Sequence, residues 1–304
     1  MKYYELAGQE VSQVALGCMR IADRPEKEAD AAIDAALEIG INFFDHANIY
    51  GGGGGAETAF AASVKRLGLK REDMFLQSKV GIDQGMFNFD KEHILTEVDG
   101  ILRRLETEYL DFLLLHRPDT LIEPDEVGEA FDRLEESGKV RAFGVSNMNP
   151  MQMELLKTGI GQKIVANQLQ FGLLHTPMID EGFTVNMMWD SATMRSGGTL
   201  EYCRIHDIKI QPWSPLQWGY IMGPYLDNPH YQELNEALEK MAAEKNTTTI
   251  ALALAWVLRH PAGMQPLLGS MNADRIREAK DATEIELTRR EWYDLYLAGG
   301  NRLP

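Results

Sequence analysis

The sequence predicts an α/β fold: a (β/α)8 TIM barrel with an N-terminal β-hairpin cap and insertions at the C-terminal face. Eight short apolar runs rich in β-branched and aromatic residues recur along the 304 residues. Most of them are followed by a segment with helical spacing, so the chain repeats a strand-then-helix unit. Several runs are apolar on both faces, as is typical of parallel strands covered by helices. Eight such units match a closed barrel in number and size, and an open, doubly wound sheet is the structural alternative.

The predicted strands, in chain order, are Val14–Met19, Asn42–Ala47, Phe75–Val80, Leu110–His116, Val140–Ser146, Ile164–Gln170, Ile208–Ser214 and Met264–Gly269. We expect residues 1–304 to form a single domain of this kind. Before the first strand, Tyr3–Glu5, a turn at Gly8 and Glu10–Val11 predict a hairpin at the bottom of the barrel.

Two segments are too long to be simple connections between a strand and a helix. Residues 171–198 and 217–229 each follow a predicted strand. The first segment contains Met, Trp and Gly with no clear period, and the second carries Trp, two Tyr and two Pro. In a barrel both would lie at the C-terminal face, where barrel enzymes place their active sites. We expect them, with the tail after Ala298, to shape an apolar substrate pocket. The alternative is that they are merely packed lids.

Composition excludes several classes of partner. The chain has 30 Lys and Arg against 46 Asp and Glu, a net charge of −16, which repels nucleic acid and anionic membranes. No apolar run approaches the roughly 20 residues that span a bilayer, and the start lacks the layout of a signal peptide. Cys18 and Cys203 form no disulfide framework and no zinc spacing. We therefore expect a cytoplasmic protein that handles small molecules and has no metal site, and the sequence carries no signal for its oligomeric state.

Polar residues end three consecutive predicted strands. Asp45 ends the second strand, with Tyr50 five residues later; Lys79 ends the third and His116 the fourth. Each has an ordinary structural explanation when it is taken alone, such as a salt bridge or a hydrogen-bonded core histidine. Burying Asp, Lys and His beside apolar strands is nevertheless costly unless they pair or perform chemistry. In a barrel all four would meet at one opening.

The chemistry of this set indicates proton transfer to an oxygen. A phenol titrates near ~10 and is a weak acid at neutral pH. The Lys79 ammonium would lower the pKa of Tyr50, and the Asp45 carboxylate would hold that ammonium charged and oriented. His116 could hydrogen-bond a substrate oxygen and stabilise its developing charge. Such a site protonates the oxygen of a carbonyl group while another group attacks the carbonyl carbon.

One competing interpretation is a dinucleotide loop at Gly51–Gly55, as in doubly wound dehydrogenases. That fingerprint requires G-x-G-x-x-G between a strand and a helix. The segment GGGGGAETA lacks the third glycine in register, so this interpretation is disfavoured.

Asp45, Tyr50, Lys79 and His116 together resemble the catalytic tetrad of the aldo-keto reductases. The segments LGCMR, FFDHANIYGG, QSKVG, LLLHRPD, GKVRAFGVSN, NQLQ, QPWSPL and GSMNADRIREA follow in the order found in that family. The resemblance covers nearly the whole chain. The variants HRPD and SNMNP and the ending LTRREWYDLYLAGGNRLP are most similar to the bacterial YdhF-like oxidoreductase subgroup.

The resemblance implies an NADP(H)-dependent reductase of aldehydes and ketones. Hydride would pass from nicotinamide C4 to the carbonyl carbon while Tyr50 donates the proton. The residues that would hold the nicotinamide half of the cofactor are Met19, Arg20, Ser146, Asn147, Gln168, Trp213, Ser214 and Leu216. Trp213 stands where the family has an aromatic ring, usually Tyr, that stacks on the nicotinamide.

The resemblance places the adenosine end of the cofactor at Gly269, Ser270, Asn272 and Arg275. Arg275 could grip a 2′-phosphate through charge-assisted hydrogen bonds, and Ser270 offers a hydroxyl donor. Gly269 stands where a phosphate-binding Lys is common in the family, so the preference for NADP over NAD rests mainly on Arg275 and Ser270. The alternative function is a cofactor-binding, redox-sensing regulatory subunit with slow or no turnover. Outside these sites, we expect Arg117 and Asp119 to brace the loop after the fourth strand.

Overall fold

A computed structural model describes residues 1–304 and contains one large sheet of eight parallel strands. A hairpin of β1 (Tyr3–Leu6) and β2 (Gln9–Ser12) precedes the sheet. A short ribbon of β6 (Ile82–Asp83) and β7 (Met86–Phe87) lies outside it. The strands of the sheet are β3 (Ala15–Gly17), β4 (Phe43–Asp45), β5 (Phe75–Val80), β8 (Leu110–Leu115), β9 (Val140–Ser146), β10 (Ile164–Gln170), β11 (Lys209–Trp213) and β12 (Leu267–Leu268).

The sheet closes into a barrel. Its strands run in the order β11-β10-β9-β8-β5-β4-β3-β12, so each βα unit lies beside the next one in the chain. The two end strands are joined by the Gln265 amide, which donates to the Ile210 carbonyl at 3.0 Å. The (β/α)8 prediction is therefore confirmed, and the open sheet is excluded.

Helices connect the strands and cover the outside of the barrel. They are α1 (Glu26–Glu38), α2 (Tyr50–Gly53), α3 (Gly55–Leu67), α4 (Lys91–Arg104), α5 (Pro124–Glu136), α6 (Pro150–Lys157), α7 (Pro177–Phe183), α8 (Thr199–Ile205), α9 (Gln232–Glu244), α10 (Thr249–Leu258), α11 (Ala273–Arg277) and α12 (Arg289–Ala298). None of them is both long enough and apolar enough to cross a membrane.

The strand bounds agree with the prediction at three strands and are shorter elsewhere. Phe75–Val80, Val140–Ser146 and Ile164–Gln170 match the observed β5, β9 and β10. The last predicted strand, 264–269, is reduced to Leu267–Leu268, since Pro266 has no N–H to donate to a ladder. Its carbonyl still accepts from the Ala15 amide at 3.0 Å, so the chain stays seated in the sheet.

Side chains that point into the barrel form an apolar layer below a polar one. The lower layer is a separate cluster of ten buried residues that includes Leu6, Val11, Phe43, Phe112 and Leu267. Because Leu6 and Val11 come from the hairpin, β1 and β2 plug the bottom of the barrel, as the sequence predicts. Successive inward positions on a strand are two residues apart, so β5 passes from Phe75, which packs against this layer, to Gln77 and Lys79 above it.

The first insertion differs from the expectation. Residues 171–198 do follow β10 at the C-terminal face, but they contribute nothing to the large cavity there. Phe183 packs on Tyr296 of α12, and the Tyr296 hydroxyl donates to Asp180 at 2.7 Å. The tail after Ala298 also packs on this insertion, because the Asn301 side chain donates to the Leu173 carbonyl at 3.2 Å. This insertion and the tail bind each other, so the prediction that they shape the pocket is wrong.

Candidate active site

Asp45, Tyr50, Lys79 and His116 do meet at the C-terminal end of the barrel. The Lys79 side chain has no exposed surface, and the side chain of Asp45 is 3 % exposed. The Lys79 ammonium donates to Asp45 Oδ2 at 2.7 Å, to the His46 carbonyl at 2.7 Å and to the Tyr50 hydroxyl at 3.4 Å. An ammonium has three protons, and all three are used. Lys79 is therefore a fixed cation directly behind the phenol.

Asp45 is held from its other side by buried glutamines. Its Oδ1 accepts from Gln77 Nε2 at 2.6 Å and from Gln168 Nε2 at 2.9 Å. Gln77 Nε2 also donates to Gln211 Oε1 at 2.9 Å, and Gln211 Nε2 donates to Gln265 Oε1 at 2.9 Å. Gln265 Nε2 ends the series at the Ser12 carbonyl, at 2.8 Å. We call Gln77, Gln211 and Gln265 the glutamine chain; it links the bottom hairpin to the carboxylate that orients Lys79.

A tight glycine turn sets the position of Tyr50. Tyr50 opens the single helical turn α2, and Gly51, Gly52 and Gly54 have φ of +68°, +76° and +91°, values that favour glycine. A Cβ on Gly54 would lie 2.0 Å from Arg104 Nε, which donates to the buried Glu57 at 2.7 Å. The glycine run is therefore a shaped turn that lets Arg104 pack against it.

The acidity of Tyr50 differs in direction from the expectation. Burial raises the pKa of the Tyr50 phenol above its ordinary value, while the Lys79 cation opposes this rise and the Asp45 carboxylate adds to it. Lys79 does act to lower the pKa of Tyr50, as expected, but burial outweighs it and the net change is a rise. The phenol is consequently protonated at neutral pH, which is the form that can donate a proton.

His116 is neutral in this environment. Burial, with help from the Lys79 cation, holds the pKa of His116 well below its ordinary value. Its ring meets the Tyr50 ring edge-on, with 5.8 Å between centroids. Its Nδ1 is buried without a partner, and the residue lines the cavity. A neutral imidazole of this kind can donate one hydrogen bond to a substrate oxygen without carrying charge.

A cavity of about 1180 Å³ begins at these residues and runs across the top of the barrel. Of the sixteen site residues predicted from the sequence, fifteen line it, and Lys79 lies buried behind Tyr50. The cavity wall contains Met19, Gln168, Trp213, Ser214 and Leu216. The cavity therefore borders the C-terminal ends of β3, β4, β8, β11 and β12.

A series of hydrogen bonds fixes the residues around Trp213. Its indole N–H donates to Asn147 Oδ1 at 3.1 Å, and Asn147 Nδ2 donates to Ser146 Oγ at 2.7 Å. Ser146 Oγ in turn donates to the Gln168 carbonyl at 3.0 Å. Asn147 and Ser214 have φ of +57° and +53°, a strained backbone for non-glycine residues. These contacts hold the face of the indole at the cavity wall.

The far end of the cavity is polar and contains a free cation. Gly269, Ser270 and Asn272 line it before α11, and the Asn272 side chain caps that helix by accepting from the Arg275 amide at 3.0 Å. The Arg275 side chain is exposed and makes no hydrogen bond or ion pair. Arg20 donates to the Gly269 carbonyl at 3.5 Å. Arg275 is therefore available to an anionic group that enters this end.

Sequence reasoning missed the glutamine chain and misjudged Arg117. Gln77 stands two residues before Lys79 on β5, so period-two alternation was the available signal. Asp119 braces its loop as expected by accepting from the Phe89 and Leu121 amides at 3.0 and 2.8 Å. Arg117 makes no such contact and lines the cavity. The second insertion, 217–229, does line the cavity, through residues that include Tyr220, Ile221 and Leu226.

Comparison with known proteins places the chain in a family of oxidoreductases. The model of the aldo/keto reductase family matches residues 13–296, and the chain belongs to that family. The chain is 34 % identical over 300 residues to the 6-dehydroglucose reductase of Agrobacterium fabrum, covering 94 % of each protein. It is 33 % identical to the oxidoreductase YdhF of Escherichia coli, covering 94 % of this chain and 93 % of YdhF.

Solved structures agree with this assignment. An aldo-keto reductase from Klebsiella pneumoniae, solved in complex with NADPH, is 25 % identical and superposes with a TM-score of 0.77. The match covers 97 % of this chain and 93 % of that protein. The protein described here is therefore an oxidoreductase with the TIM-barrel fold of this family.

The buried His46 leads to a prediction about stability and pH. Burial, helped by Lys79, lowers the pKa of His46 to about 3, and neither ring nitrogen has a partner. The unfolded chain binds a proton at this residue near pH 6.5 while the folded protein does not. Folding stability is therefore lost as the pH falls below about 6.5. When the pH is lowered from 7 to 5, this protonation of the unfolded chain lowers the free energy of unfolding by about 2 kcal/mol.

His46→Phe removes the titrating group and keeps a ring against Phe60, on which His46 packs with 4.6 Å between centroids. The free energy of unfolding should therefore fall by about 2 kcal/mol less in the variant than in the wild type when the pH is lowered from 7 to 5. Denaturant titrations at both pH values measure the difference, and packing changes cancel within each protein. An equal fall in both proteins would contradict the account.

Proposed function

We propose that this protein is an NADP(H)-dependent reductase of aldehydes and ketones in which Tyr50 is the proton donor. The observation that carries the proposal is the protonated Tyr50 hydroxyl, 3.4 Å from a fully buried ammonium and facing a cavity that a dinucleotide could enter. Two further facts support it: a relative is a 6-dehydroglucose reductase, and a similar structure contains NADPH.

The chain's own residues account for the proton transfer. His116 donates a hydrogen bond from its neutral ring to the carbonyl oxygen and so polarises the carbonyl. Tyr50 donates its proton to that oxygen as negative charge develops there. The Lys79 ammonium stabilises the phenolate that remains, and Asp45 keeps the ammonium in place. A nicotinamide cofactor supplies the hydride that reduces the carbonyl carbon.

The residues along the cavity fit such a cofactor. Trp213 offers an aromatic face for stacking, and Ser146, Asn147 and Gln168 lie beside it as candidates for hydrogen bonds to a carboxamide. The side-chain amide of Gln168 donates one N–H to Asp45, and its side-chain oxygen Oε1 accepts no hydrogen bond within the chain. At the other end, Ser270 accepts from the Asn272 amide at 3.2 Å and keeps its hydroxyl proton for a phosphate. Met19, Arg20, Ser214, Leu216 and Gly269 complete the walls.

Tyr50→Phe tests the proton donor. The variant keeps the ring and removes the hydroxyl, so turnover of an aldehyde should fall by about 10²- to 10⁴-fold, while NADPH binding persists. Consumption of NADPH against a panel of aldehydes and ketones measures the first quantity, and fluorescence titration with NADPH measures the second.

Tyr3→Phe is the matched control, since Tyr3 donates to the Gly40 carbonyl at the opposite end of the barrel and should retain wild-type turnover. Equal turnover in Tyr50→Phe and the wild type would sink the assignment of Tyr50. NADPH binding with no turnover of any carbonyl compound by the wild type would favour the redox-sensing regulatory subunit.

Arg275→Ala tests the choice between cofactors. Its guanidinium has no partner in the chain, so its removal should weaken NADPH binding by about 10- to 100-fold and leave NADH binding nearly unchanged. Arg277→Ala is the control, because Arg277 lies two residues along the same segment but is paired with Glu38 at 2.7 Å. A similar loss for both cofactors would mean that Arg275 does not contact the 2′-phosphate.

A further inference from the structure

Arg117 is a cation at the catalytic end of the cavity that the reaction described above does not use. It directly follows His116 and lines the cavity as a half-buried residue. It forms no ion pair and donates no hydrogen bond within the chain; its guanidinium carbon lies 5.9 Å from the centre of the Trp213 ring. Almost all other buried or half-buried cations of this protein have a carboxylate or carbonyl partner, as Lys79, Arg104 and Arg71 do.

The carboxylates of the cavity do not neutralise Arg117. Asp45 is committed to Lys79 and the glutamines. Asp119, two residues further along, uses both carboxylate oxygens on backbone amides, that of Leu121 in its own loop and that of Phe89 in the segment before α4. No carboxylate oxygen lies within ion-pairing distance of the Arg117 guanidinium, although the chain as a whole carries 16 more negative than positive charges. The positive charge is therefore free at this position.

Arg117 lies at the same end of the cavity as Tyr50 and His116, since it directly follows His116 and its guanidinium carbon is 5.9 Å from the centre of the Trp213 ring. Besides the larger effects of burial and of Lys79, its charge acts on both Tyr50 and His116. It opposes the rise in the pKa of Tyr50 and adds to the fall in the pKa of His116. A substrate group bound to Arg117 would consequently lie a few atoms from the carbonyl that Tyr50 and His116 hold.

Several apolar side chains line the cavity together with Arg117. Val80 pairs with Leu115 in the sheet, so Ile82 and Arg117 lie at corresponding positions, two residues beyond the ends of neighbouring strands. Ile49, Trp213 and Tyr220 also line the cavity. An unpaired cation beside these apolar residues suits a molecule with an apolar body and one negative charge.

We propose that Arg117 binds a carboxylate group of the substrate, so that the preferred substrates are aldehydes or ketones with an apolar body and a carboxylate. A guanidinium matches a carboxylate through two parallel N–H donors. A phosphate dianion would require further donors, and the other nearby cation, Lys79, has no free proton. This inference rests on the proposed carbonyl reduction and names its substrate class.

A pair of nearly isosteric aldehydes tests the proposal. The wild type should reduce 4-carboxybenzaldehyde with a kcat/KM about 10- to 100-fold above that for its methyl ester, the strength of one charge-assisted contact. In Arg117→Met this ratio should fall to near one, and Arg117→Lys should retain part of it because the charge remains. The ratio is used because Arg117 also affects Tyr50 and His116, which act on both aldehydes alike.

Isothermal titration of benzoate into the NADPH-saturated protein gives a readout that does not need turnover. Benzoate should bind at least 10-fold more weakly to Arg117→Met than to the wild type, and benzamide should show no such difference. Equal losses for the acid and the ester, no preference in the wild type, or benzoate binding independent of Arg117 would each overturn the proposal. Arg117-dependent benzoate binding without turnover of any carbonyl would support this site and refute the proposed reduction.

Discussion

The ion pair between Lys79 and Asp45 is the interaction on which the rest of the site depends. A fully buried ammonium is tolerable only with good partners, and losing one partner of a buried pair costs about 3–5 kcal/mol. Here the ammonium has three acceptors, and the carboxylate has three donors. The pair follows from strand register: Asp45 is paired with Gln77 across β4 and β5, and the next inward position on β5 is Lys79. Closing the barrel therefore places the charge behind Tyr50.

The glutamine chain shows what supports this charge. Buried amides lose water contacts, a cost that hydrogen bonds must offset. In the glutamine chain each Nε2 has an acceptor, and only Gln77 Oε1 lacks a donor. The glutamine chain spans the barrel interior from the hairpin to Asp45 and leaves the Asp45 carboxylate little freedom to turn. Tyr50 is restrained separately, since its glycine turn packs against Arg104, which is fixed by Glu57. Two independent supports thus meet at the phenol and ammonium.

Much of the fold and of the candidate catalytic set could be predicted from local pattern. The apolar runs located all eight strands, and strand ends identified Asp45, Lys79 and His116, because both signals are short in range. The roles of Gln77, Gln211 and Gln265 depend on contacts between residues up to 253 positions apart, which alternation alone does not reveal. The 171–198 insertion was misjudged for a related reason: its partner is α12, more than 100 residues away. Likewise, Arg117 is informative only because no carboxylate reaches it, which depends on the whole cavity.

A double-mutant comparison tests the central claim most directly. If Lys79 acts through Tyr50, then Tyr50→Phe, Lys79→Met and the double variant should lose similar amounts of aldehyde turnover. Groups that work as a unit are strongly non-additive in this way. The kcat of the three variants and the wild type, measured with saturating NADPH, gives the answer. A double variant whose loss equals the product of the two single losses would contradict the account, since Lys79 and Tyr50 would then contribute independently.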